Sequence, residues 1–258
     1  MRPVSLVAAS LFCPAGIGDG GTGAALPGPV PGFAPHAHGV PRKHLKTMTR
    51  AVQLGVAAVY AALEDWPTWR TVPPDRRGLY VGASPQQGDA EDIAPALDAT
   101  GVPFTLGGFA ERGVPLIPPL WLVKGLSNNI LGYASAQFDF QGDNGNWCDG
   151  RLGGAIALTN AIHAIAEGRV DLAVAGGADA LVGAEAILGA PCGEGAAFLV
   201  LVAGDVGKTR VRAGLPTVDG GETGLGELGA ASVPVALARH WLGGLMEVRA
   251  GGVHLFRP

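Results

Sequence analysis

Chemistry in this chain is concentrated between Phe140 and Ala180, where Asn146-Trp-Cys148-Asp-Gly-Arg151-Leu-Gly-Gly154 leads into an apolar run ending at Ala175-Gly-Gly177. Strand-like residues, a glycine-bearing turn and an all-apolar helical stretch follow one another. Such a strand-to-helix turn pushes one side chain out at a helix N-terminus, where unpaired N–H groups and the helix dipole favour a thiolate or a bound oxyanion. Acyl-transfer chemistry would use that place. The turn's most exposed position falls on Arg151, and Cys148 comes three residues earlier. An arginine stays protonated and has no lone pair with which to attack a thioester.

Other candidate groups are less productive. His36, His38 and His44 lie in a Pro/Gly-rich stretch with no ordered acidic third ligand, so no metal is expected. Gly16-x-Gly18-x-Gly20-Gly21 follows a strand, but prolines rather than a helix come after it, against a dinucleotide site. No cofactor is expected. Cys13, Cys148 and Cys192 show no paired spacing, which indicates neither a disulfide framework nor a zinc site.

The elements that must position the turn can be read from periodicity. Val4 to Phe12 is expected to form a buried strand, Pro14 to Pro41 a loop, and Lys46 to Glu64 a helix. Gly78 to Ala83 is a second core strand and Ala90 to Ala99 a short helix. Pro118 to Leu131 is expected as a further helix carrying Trp121 and Asn128. Gly154 to Glu167 is apolar on all sides and therefore central. Val170 to Ala175, Gly195 to Ala203 and Thr209 to Ala213 read as strands, Glu227 to Leu242 as a helix, and Met246 to Phe256 as paired strands. Strands alternating with buried helices give an α/β fold with helices on both sheet faces or between two sheets.

Composition narrows the class. With 258 residues the chain can bury a full core. Only 16% of residues are charged and mean hydropathy is +0.28, so some apolar surface is expected to be buried against a partner. A net charge of −4 without basic clusters disfavours nucleic acid. No run of apolar residues is long enough to span a membrane. The apolar N-terminal stretch lacks a processing site and reads as the first strand, which points to the cytoplasm.

Several stretches together resemble the β-ketoacyl synthase (condensing enzyme) family of the thiolase fold. They are Lys46-Thr-Met48-Thr-Arg50 before a helix, Gly78-Leu-Tyr-Val-Gly82, Asn128 followed by Gly132 and Phe140-Gln-Gly142, Ala161-Ile-His-Ala-Ile-Ala-Glu-Gly168 running on to Asp179, and Gly193-Glu-Gly-Ala196. The resemblance implies a layered α/β/α/β/α fold with a truncated second half. Residues 1–203 would form the ketosynthase-like part, and 204–258 a reduced remainder packed on it.

Counted back from Gly168, the family's catalytic cysteine falls on Arg151. Gly226, in Leu225-Gly-Glu-Leu-Gly-Ala-Ala-Ser232, stands where one catalytic histidine would be, and no segment resembles the other histidine loop. By resemblance this is a non-catalytic subunit like the chain-length factors of type II polyketide synthases. Its expected partner is an active ketosynthase, with an acyl carrier protein met indirectly. Polyene or fatty-acid products are the expected class. The dimer would join through Asp143 to Trp147, and the acyl tunnel would run along that interface. Trp121, Phe104, Leu106, Asn128, Asn146, Trp147, Cys148 and Arg151 are the tunnel and interface candidates. For Arg151 the alternative is an ion pair filling a lost active site, and for Trp121 a plain core residue. Two further readings of the chain remain: a stand-alone acyltransferase or thioesterase using Cys148, and a scaffold that binds the carrier protein.

Overall fold

The computed structural model describes residues 1–85, 90–207, 209–221, 223–245 and 247–257. Its elements are β1 (Val4–Ala9), β2 (Phe12–Cys13), β3 (Gly16–Ile17), α1 (Arg50–Glu64), β4 (Arg77–Gly82), α2 (Ala90–Thr100), α3 (Leu106–Gly108), α4 (Trp121–Lys124) and α5 (Asn129–Phe138). After them come β5 (Asn144–Trp147), α6 (Leu152–Ala166), β6 (Leu172–Ala180), α7 (Glu185–Leu188), β7 (Glu194–Ala203), β8 (Thr209–Ala213), α8 (Ser232–Leu242), β9 (Glu247–Ala250) and β10 (Val253–Phe256).

One sheet runs in the order β5-β4-β6-β7-β1-β8-β10-β9. Strands β5, β4 and β6 are parallel, as the helical crossovers between them require, and the remaining pairs are antiparallel. The central strands β4, β6 and β7 are buried on both faces, which explains their nearly unbroken apolar runs. Helix α1 covers one face with Val52, Val56, Val59 and Leu63 against Phe198 and Val200. Helices α6 and α8 cover the other, and Val211, Val253 and Leu255 close over them from β8 and β10. These layers match the thiolase-like fold, with β8, β10 and β9 continuing the sheet beyond β1.

The expected elements are displaced where local chemistry intervenes. The helix expected from Lys46 starts at Arg50, behind a 3-10 turn over Arg42–Thr47. The helix expected over Pro118 to Leu131 is two pieces, because the chain breaks at Gly125 and Asn129 folds its side chain back onto the carbonyls of Val123 and Lys124. The strand expected to end at Ala175 continues through Gly176 and Gly177 to Ala180, paired with β7 throughout. The helix expected from Glu227 begins at Ser232, after a 3-10 turn at Gly229–Ala231. The final pair is a hairpin turned by Gly251 and Gly252 with φ of +59° and +82°, which suits the right-handed twist of its strands. Met246 lies outside the described residues.

Candidate functional site

The turn leaves β5 at Trp147 and enters α6 at Leu152. Gly150 takes a left-handed φ of +50°, which a side chain would resist, and this bend lets Leu152 N–H and Gly153 N–H donate to the carbonyls of Asp149 (3.0 Å) and Gly150 (3.1 Å). Arg151 is thereby the residue immediately before the first turn of α6.

Backbone packs directly on backbone here. A Cβ on Gly82 would collide with the main chain of Gly153 and Gly154. A Cβ on Gly154 or Gly177 would collide with the Ala230 carbonyl oxygen. The end of β4, the start of α6, the end of β6 and the Leu228–Ala231 segment therefore meet without intervening side chains. This close approach is what the glycines permit.

Two carboxylates fix the Gly226–Ala231 segment, Glu227 to the turn and Asp179 to the end of β6. Glu227 Oε1 accepts from Gly229 N–H at 2.9 Å and lies 3.7 Å from Arg151 Nε. Main-chain bonds of 2.7 and 3.0 Å fix Glu227 to Pro191 and Gly193. Asp179, at the end of β6 and 1% exposed, accepts from Ala230 N–H at 2.8 Å. Burial pushes its carboxyl up to about 6, against hydrogen bonds from Ser84 and Ala230 that favour the charge, while the nearby Glu227 adds repulsion.

Arg151 thus meets the Gly226–Glu227 turn, the two landmarks the sequence singled out, and the contact is an ion pair. Gly226 has φ +87°, and a Cβ there would lie 2.7 Å from Pro27 Cβ and 2.8 Å from the Pro191 oxygen. A histidine does not fit this turn as built. Cys148 is exposed, with Asn146 Nδ2 3.2 Å from its sulfur. Trp147 is half-buried and stacks on Tyr80, ring centroids 6.2 Å apart. Asn146 and Trp147 lie on β5, at the sheet edge.

The remaining candidates sit on another segment, the excursion between α2 and α5. Trp121 is half-buried on α4 and Asn128 is exposed. Phe104 and Leu106 are 55% and 79% exposed. Leu116, Leu120, Leu122 and Leu126 are exposed beside them in sequence, a concentration of apolar surface that isolated soluble domains rarely carry. Asp179 and Glu227 were given no role by sequence reasoning. The available signals were an acid closing an otherwise apolar strand, and an acid beside the glycine at the histidine position.

The family model for the β-ketoacyl synthase N-terminal domain matches residues 19–197. Among curated protein sequences none matches. Among solved structures, a chain of the ishigamide ketosynthase/chain length factor superposes with TM-score 0.70 at 16% identity, covering 98% of each chain. A chain of a ketosynthase in complex with its chain length factor from Xenorhabdus doucetiae gives 0.58 at 13% identity, covering 99% of this chain and 98% of that one. A type II polyketide synthase acyl-carrier protein in complex with its ketosynthase, bound to the hexaketide, gives 0.64 at 18% identity. There the match covers 79% of this chain but 63% of the other, so the chain spans under two thirds of that relative's length. With more than half of its residues matched by the family model and its layers those of the fold, the chain belongs to the β-ketoacyl synthase family.

Proposed function

We propose that the chain is the non-catalytic, chain-length-factor-like subunit of a ketosynthase heterodimer of the type II polyketide kind. The partner would carry out decarboxylative condensation on carrier-bound acyl chains, and this chain would supply one wall of the acyl tunnel. One observation carries the reading: the helix N-terminus that would present a nucleophile presents Arg151, held against Glu227. Gly226, at a catalytic histidine's position, sits in a turn without room for a Cβ. The edge of β5, unpaired among the described residues, and the exposed apolar excursion support a joined subunit, since both features are costly to leave in water. Trp121, Phe104 and Leu106 are the residues we assign to the tunnel wall, acting by volume. A polyene-type product is the reading we favour for the assembly.

The test is co-expression with a ketosynthase encoded beside it, followed by the size and stoichiometry of the purified species. A one-to-one complex is expected, with condensation lost when the partner's cysteine is replaced and retained when Cys148 is made serine. A lone chain that turns over acyl thioesters through Cys148 would overturn the proposal.

A further inference from the structure

We draw no further inference here: the strongest candidate, the exposed basic patch of Arg42, Lys43 and Lys46 on the 3-10 turn ahead of α1, whose side chains make no ion pair among the described residues, restates a carrier-protein docking property already established for the β-ketoacyl synthase family.

Discussion

At the scale of single residues, the turn is governed by charges that hold structure. Asp179 binds its proton at about 6 in the folded chain, against about 3.9 for an unhindered aspartate. A carboxyl raised in this way contributes stability that is full below about pH 4 and lost as the pH climbs through 6. The size is on the order of 3 kcal/mol. Asp179→Asn stays neutral while still accepting from Ala230 N–H, so its melting temperature should fall less between pH 4.5 and 7 than that of the wild type. Thermal melts at the two pH values decide this, and parallel curves would assign the titration to another group. Asp171 behaves oppositely. Hydrogen bonds from Arg76, and after burial's opposing effect from Arg2, hold it down to about 2, so its contribution is present above pH 4 and disappears as the pH falls toward 2. Replacing Arg151 by cysteine should restore no condensation, because Gly226 leaves no space for a base; mass spectrometry after exposure to acyl thioester would reveal at most a stalled acyl adduct.

At the scale of elements, the glycines at the head of α6 set how closely helix, strands and loop approach. Gly154→Val would drive side-chain atoms into Pro234 and the Ala230 carbonyl, and overpacking of this kind costs about 3 kcal/mol or is relieved by moving the loop. Chemical denaturation should show the loss. An unchanged midpoint would mean that α6 and the loop do not pack as described. The excursion answers to a different assay. Leu106→Glu and Leu122→Glu, both at exposed positions, should leave the fold intact and abolish copurification of a ketosynthase. The sequence made the α6 region legible because a helix apolar on every side, followed by a Gly-Gly strand, has few other uses. It did not reveal that α4 and α5 are separate, since the break depends on where the Asn129 amide finds carbonyls. Nor did it reveal the Arg151–Glu227 pair, whose members lie 76 positions apart and are joined only by the packing of glycine on backbone.

For the molecule as a whole, the strand and helix pattern conveyed the class of fold, while the way the strands after Ala203 join the sheet was not visible in it. In the structure β8 pairs with β1, so β8, β10 and β9 continue the sheet that begins at β5. Residues of both segments also share one core, where Leu158 and Ile165 lie with Val233, Val253 and Leu255. Thermal unfolding should therefore be a single cooperative transition across both segments, testable by comparing calorimetric with van't Hoff enthalpy.

The place of β1 carries a consequence for how the protein is made. Val4 pairs with Ala203 and Ser5 with Arg210, so β1 finds both neighbours only after about two hundred further residues have been synthesised. At about 5–20 residues per second the wait lasts tens of seconds. During that interval an apolar strand with two open edges has to be kept from pairing with another nascent chain. Successful production would then be limited by chaperone occupancy and translation speed, and slowing synthesis would harm the yield of this protein rather than help it.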